Sequence, residues 1–133
     1  MVLVDTSVWI EIFKKATRLR LETLVDLDDV VTCLPVVQEV LQGFDIEPAF
    51  LKARDAMLAL PIVESPLSRD VLLQAVDLYR AARRTGLTVR SSADCVIAVC
   101  AIRNQLEVLH QDRDFDALAQ VSPLKARNVA LGG

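Results

Sequence analysis

Four carboxylates in this 133-residue chain, Asp5, Glu39, Asp94 and Asp112, lie at separate points from which a fold could bring them together. Acids that converge without opposite charges repel one another, and a hard, oxygen-seeking cation is the usual resolution. The one histidine, His110, and the three cysteines, Cys33, Cys95 and Cys100, form neither a zinc-type cluster nor a Cys-x-x-Cys pair. The ligand chemistry therefore favours Mg²⁺ or Mn²⁺. Such an ion lowers the pKa of bound water and neutralises charge building on a phosphoryl oxygen, which is the chemistry of phosphodiester hydrolysis.

Each acid also has a purely structural reading. Asp5 ends the apolar run Val2-Leu3-Val4 and can cap a helix, a role that Thr6 or Ser7 could fill equally well. Asp112 can cap a short helix in the same way. Ser91-x-x-Asp94 has the form of a capping box, with the Asp94 carboxylate returning to the Ser91 amide. A carboxylate beside a buried helix is nevertheless costly unless it is paired or bound to a cation, and a capping group keeps a second oxygen free for one. Glu39 shares a helix with Val36, Val37, Val40, Leu41 and Phe44. At about 100° per residue it falls roughly 60° from Val36, on the border of that apolar arc, with a solvated surface position as its plain alternative.

The elements that must position these residues follow from the pattern. Val2–Val4 reads as a strand, Val8–Phe13 as a helix and Leu19–Leu27 as a second helix. The β-branched run 30–33 is a strand, and Pro35 opens a helix that runs to Gly43. Glu47–Leu60 is a helix, Ile62-Val63 a short edge strand, and Arg69–Thr85 a long amphipathic helix closed by Gly86. The helix from Ser91 to about Asn104 is apolar on every side and so must be buried. Glu107-Val108-Leu109 is a strand, Asp112–Ala119 a helix, and Asn128-Val129-Ala130 the last strand. Strands alternating with helices give an α/β fold, a parallel sheet covered on both faces. In such sheets the functional crevice lies at the carboxyl ends of the strands, where Asp5 and Asp112 both fall.

Composition bounds the rest. A chain that is 53% hydrophobic and 25% charged, with four Gly and five Pro, is one compact domain, 1–133. An odd cysteine count reads as buried thiols in a reducing cytosol. The apolar run Val96–Ile102 is far short of the roughly 20 residues of a membrane span, so no membrane segment is expected. The net charge of −3 argues against broad electrostatic binding of nucleic acid. It is unevenly divided: residues 1–66 carry 6 basic and 11 acidic side chains, and residues 67–133 carry 9 and 7, which leaves room for a local basic groove.

Four segments in order, Val2-Leu3-Val4-Asp5-Thr6-Ser7-Val8-Trp9, Val36-Val37-Gln38-Glu39-Val40-Leu41-Gln42-Gly43, Arg90-Ser91-Ser92-Ala93-Asp94-Cys95-Val96-Ile97-Ala98 and Val108-Leu109-His110-Gln111-Asp112-Arg113-Asp114-Phe115, resemble the PIN-domain ribonucleases, and within them the VapC-like toxins. The likeness spans essentially the whole chain. It implies a three-layer PIN fold with a central parallel sheet of four to five strands, Mg²⁺- or Mn²⁺-dependent cleavage of RNA in the cytoplasm, homodimerisation and inhibition by a cognate VapB-like antitoxin. Carried over by position, Asp5, Asp94 and Asp112 look like metal ligands and Glu39 like the residue that orients or deprotonates the attacking water. Thr6 or Ser7 would supply a hydroxyl near the metal, and Asp114 would back the ligands. His110 departs from the family, many of whose members carry Thr or Ser two residues before the fourth acid; a lone histidine at a strand end reads as a packed, hydrogen-bonded residue.

RNA contact would fall to Arg90 and Arg113, each beside a proposed site carboxylate. Arg80, Arg83 and Arg84 read as a solvated helix face with Asp77 paired to Arg80. Two other readings stand beside the nuclease. A PIN-like module could bind RNA or protein without cutting. A receiver-like signalling domain would also hold Mg²⁺ at its strand ends, but should carry paired acids after the first strand, an acceptor Asp after the third and a Lys near the last.

Overall fold

A computed structural model of the chain describes residues 1–14 and 16–129. Among the described residues five strands form one parallel sheet in the order β3-β2-β1-β4-β5: β1 Val2–Val4, β2 Val30–Cys33, β3 Ile62–Val63, β4 Glu107–His110 and β5 Lys125–Asn128. Six helices accompany them among the same residues: α1 Thr6–Ile12, α2 Leu34–Gln42, α3 Glu47–Leu58, α4 Arg69–Arg84, α5 Ser92–Arg103 and α6 Arg113–Gln120. Leu3 and Val4 project to opposite faces of the sheet and both are fully buried, as are all four residues of β2. Helices therefore cover both faces, and the layers number three.

The chain runs outward from β1 through β2 to β3, then returns across the sheet to β4 on the other side of β1. That reversal opens a crevice at the carboxyl ends of β1 and β4. Val4 is in register with Leu109, and the Asp5 amide extends the ladder by donating to the Leu109 carbonyl at 2.9 Å. Asp5 and the His110–Asp112 turn are thus brought side by side.

α5 is buried as its all-round apolar composition requires, packing on α4, α6, α2 and β4. Gly86, at φ 79°, ends α4. The Leu87 amide donates to Ala82 and the Gly86 amide to Arg83, a Schellman closure that turns the chain back toward α5. The sheet expectation is met with five strands.

Two elements differ from the sequence pattern. The segment expected to be helical over 19–27 instead holds two single 3₁₀ turns, Leu21–Thr23 and Leu27–Asp29. Its buried leucines, Leu19 and Leu21, are two residues apart rather than three or four, and Asp26 takes the Asp28 amide at 3.0 Å and closes off a longer helix. The last strand begins at Lys125, opposite Glu107, and not at Asn128; of the residues expected there, Ala130 lies outside the described residues. Its charged residues read poorly as strand, but an edge strand needs only a partner ladder and one covered face.

Candidate active site

Asp5 is the N-cap of α1 and uses one oxygen for that work. Its Oδ2 accepts from the Ser7 amide at 3.0 Å and the Ser7 hydroxyl at 2.6 Å. Its Oδ1 is buried with no hydrogen-bond partner among the described residues. Burial pushes the Asp5 carboxyl up, the Ser7 hydroxyl and the Ser7 and Thr6 amides pull against that, and the Glu39 charge adds to the rise. Ser7 Oγ also accepts from the Gln111 amide at 3.0 Å, fastening the end of β1 to the turn after β4. The sequence left Thr6 and Ser7 interchangeable, but they serve different acids. Thr6 Oγ1 donates to Glu39 Oε1 at 2.9 Å, while Ser7 serves Asp5.

Asp94 stands in the first turn of α5 and is 5% exposed. The capping box expected of Ser91 and Asp94 does not form. Ser91 caps the helix without a side-chain bond, and its amide donates instead to Asp114 Oδ2 at 3.2 Å. Asp94 Oδ2 is left buried with no partner among the described residues. Burial, then the charges of Asp5 and Asp112, raise the Asp94 carboxyl from 3.8 to about 8. Burial disfavours the charged form, and the neighbouring carboxylates add to that.

Asp112 caps α6 through Oδ1, which accepts from the Asp114 amide at 2.9 Å. Asp94, Asp112 and Asp114 each offer an oxygen within 4.8 Å of the others. The Arg90 guanidinium borders this group, Nη2 3.9 Å from Asp112 and Nε 3.8 Å from Asp114, with a side chain that is 60% exposed. Arg113 is exposed in the first turn of α6. Sequence reasoning placed both arginines beside the acids without showing that Arg90 pairs with two of them. Arg80, Arg83 and Arg84 line a shared hollow on the outer face of α4, with no ion pair to Asp77 among the described residues.

His110 is fully buried, with its ring centroid 5.2 Å from that of Phe115. Its Nδ1 accepts from the Asp112 amide at 3.2 Å, so the neutral ring carries its proton on Nε2, 3.4 Å from Asp116 Oδ1. Burial lowers its pKa, against the pull of Asp116. His110 therefore shapes the turn that presents Asp112. The receiver arrangement is not matched. Lys125 opens β5 opposite the first residue of β4, at the sheet edge away from the acids, and Glu64, after β3, is bound to Arg103 at 2.6 Å.

The donor set fits a hard divalent cation. Asp94, Asp112 and Asp114 bring oxygens within 4.8 Å of one another, Asp5 lies outside that group though its charge acts on Asp94, and no thiol or imidazole belongs to the group among the described residues.

Residues 2–121 match the family model of the PIN domain. The chain is 34% identical to the VapC ribonuclease Mb1587 of Mycobacterium bovis over 131 residues, covering 95% of this chain and 97% of that protein, and equally to ribonuclease VapC11 of Mycobacterium tuberculosis. In fold it resembles VapBC2 of Rickettsia felis bound to a promoter DNA fragment, with TM-score 0.77 and 17% identity over 98% of this chain and 100% of that one. It also resembles VapBC-5 of Mycobacterium tuberculosis, with TM-score 0.72 and 23% identity over 96% and 98%. A parallel five-stranded sheet, acids gathered where its topology reverses and a family match across nearly the full length agree, and the chain belongs to the PIN-domain family, with VapC ribonucleases among its relatives.

Proposed function

We propose that this chain is a Mg²⁺- or Mn²⁺-dependent endoribonuclease, the toxin of a VapBC-type toxin–antitoxin pair. The observation that carries the reading is the close group of Asp94, Asp112 and Asp114, with Asp94 Oδ2 buried and unpartnered among the described residues, at the switch point of the sheet where Asp5 Oδ1 is likewise buried and unpartnered. Asp5, Asp94 and Asp112 hold the cation. When bound, it supplies the positive charge that stabilises a phosphoryl oxygen and makes water a better nucleophile at neutral pH.

The remaining steps belong to the side chains. Glu39 has Oε1 engaged by Thr6, which leaves Oε2 to orient the attacking water and take its proton. Arg90 and Arg113 hold the RNA phosphate beside the acids. Ser7 fixes Asp5 through its hydroxyl.

The partners follow from the same reading. The named ribonuclease relatives support RNA as substrate, and the VapBC structures support an antitoxin. A homodimer is supported by the exposed apolar stripe of α4, where Leu72, Leu73, Val76 and Tyr79 are 38–55% exposed. The proposed site of action is the cytoplasm, consistent with three free, buried cysteines. No helix among the described residues is long and apolar enough to cross a membrane.

The test is incubation of the antitoxin-free chain with total RNA and Mg²⁺ or Mn²⁺. Discrete fragments that EDTA abolishes are expected, and cleavage persisting in Asp5→Ala or Asp94→Ala protein would refute the assignment. Metal-independent RNA binding without cleavage would favour the non-catalytic module.

A further inference from the structure

The Ser91 amide lies at the mouth of a buried helix and must find an acceptor. In sequence its natural partner is Asp94, three residues on, by the geometry of the capping box. In the fold that place is taken from a distance of 23 residues. Asp114 Oδ2 accepts both the Arg90 amide, at 3.0 Å, and the Ser91 amide, at 3.2 Å. Asp114 is only 2% exposed, and its own amide is held by Asp112 Oδ1 at 2.9 Å. Its other oxygen, Oδ1, lies 3.8 Å from Arg90 Nε, so both oxygens engage the segment that enters α5, although the carboxylate also stands within 4.8 Å of Asp94 and Asp112.

Resting on the reading of the acidic group as a cation site, we propose that Asp114 is a positioning residue and not a metal ligand. By occupying the Ser91 amide it displaces Asp94 from the capping box and leaves Asp94 Oδ2 open to the cation. The consequence reaches past packing. A capping Asp94 would keep only one oxygen for the cation, as Asp5 and Asp112 do, and Asp114 spares it that division. Asn at position 114 keeps a carbonyl oxygen able to accept both amides, whereas Ala leaves the Ser91 amide open to Asp94.

The experiment measures Mn²⁺ affinity by calorimetry, and amide hydrogen exchange at Arg90 and Ser91 by NMR, in the parent chain and four variants. Asp94→Asn sets the scale of a lost ligand, a fall of about 10-fold or more. Asp114→Asn should stay within about 3-fold of the parent, with both amides protected. Asp114→Ala should lose about 10-fold, the Arg90 amide becoming unprotected while the Ser91 amide stays protected by Asp94. The double variant Asp94→Ala with Asp114→Ala should unprotect both.

Affinity in Asp114→Asn falling as far as in Asp94→Asn would make Asp114 a ligand and overturn the inference. So would an unprotected Ser91 amide in Asp114→Ala, or unchanged Mn²⁺ affinity there. If Asp114→Ala does not fold, the comparison of Asp114→Asn with Asp94→Asn decides alone. Failure of the parent chain to bind Mn²⁺ would remove the cation reading itself, an outcome distinct from parent binding with ligand-like loss in Asp114→Asn.

Discussion

Thr6 Oγ1 donates to Glu39 Oε1 at 2.9 Å, joining the first turn of α1 to α2 across 33 residues of sequence. The bond holds one carboxylate oxygen still and leaves the other for the water-orienting role proposed for Glu39. Thr6→Val keeps the shape of this buried side chain and removes the donor. The turnover of RNA should fall about 10-fold, corresponding to roughly one hydrogen bond of orientation, while Mn²⁺ affinity changes little. Thr6→Ser should recover most of the rate. Steady-state cleavage kinetics with calorimetry check this, and undiminished turnover in Thr6→Val would show that Glu39 needs no such hold.

Burial, with the charges of Asp5 and Asp112, pushes the Asp94 carboxyl up to about 8 in the fold against 3.8 for the free group. Between those values the folded, metal-free protein keeps a proton that the unfolded chain releases. Its stability therefore falls as pH rises through that window. Asp94→Asn removes the penalty. In EDTA the melting temperature of Asp94→Asn should exceed the parent's by an amount that grows from about pH 5 to pH 8. Saturating Mg²⁺ at pH 8 should raise the parent's melting temperature and leave that of Asp94→Asn nearly unchanged. Parallel pH curves for the two proteins would contradict the assignment.

His110 supplies an acceptor, Nδ1, to the Asp112 amide. Asn can place a carbonyl oxygen close to that position, and Leu cannot. His110→Asn should cleave RNA within several-fold of the parent, at a stability cost of about 1–3 kcal/mol for the lost ring packing. His110→Leu should lose more activity despite its apolar fit. Equal inactivity of the two would point to proton transfer by the imidazole. Burial depresses the His110 pKa below 6.5, so the unfolded chain takes up protons there before the fold does. This contribution to stability is lost as pH falls, and His110→Leu should flatten the acid limb of the melting curve.

Arg90 is the cation at the rim of the acids, 3.9 Å from Asp112 and 3.8 Å from Asp114. Arg90→Ala should strengthen Mn²⁺ binding a few-fold, because a competing positive charge is gone. It should also weaken binding of RNA to the metal-free chain and reduce the salt slope of log K by about 0.7, the loss of one phosphate contact on a single strand. Titrations at several salt concentrations measure both effects. An unaltered salt slope would mean that Arg90 only balances the acids.

Much of the fold was legible because its signals are local. The apolar runs of β1 and β2, the all-apolar α5 and Gly86 at the end of α4 each announce themselves within a few residues. Asp5 and Asp112 were legible as strand-end acids, and both are caps whose positions meet at the crevice. The Leu19–Leu27 helix and the start of β5 were misread because tertiary packing, not periodicity, sets them. Arg127, for example, is held by Glu107 at 3.3 Å and the Leu24 carbonyl at 3.1 Å.

From its own residues the sequence determined which carboxylates exist, on which elements they ride and, through strand-end placement, at which edge they gather. The tertiary structure decided which oxygen of each is free. Ser7 takes one oxygen of Asp5, Thr6 one of Glu39, and Asp114 relieves Asp94 of the amide that its local sequence offered it. A hydrogen bond goes to whichever acceptor the finished fold brings to the donor. For the Ser91 amide that acceptor stands 23 residues away, beyond the reach of any local pattern.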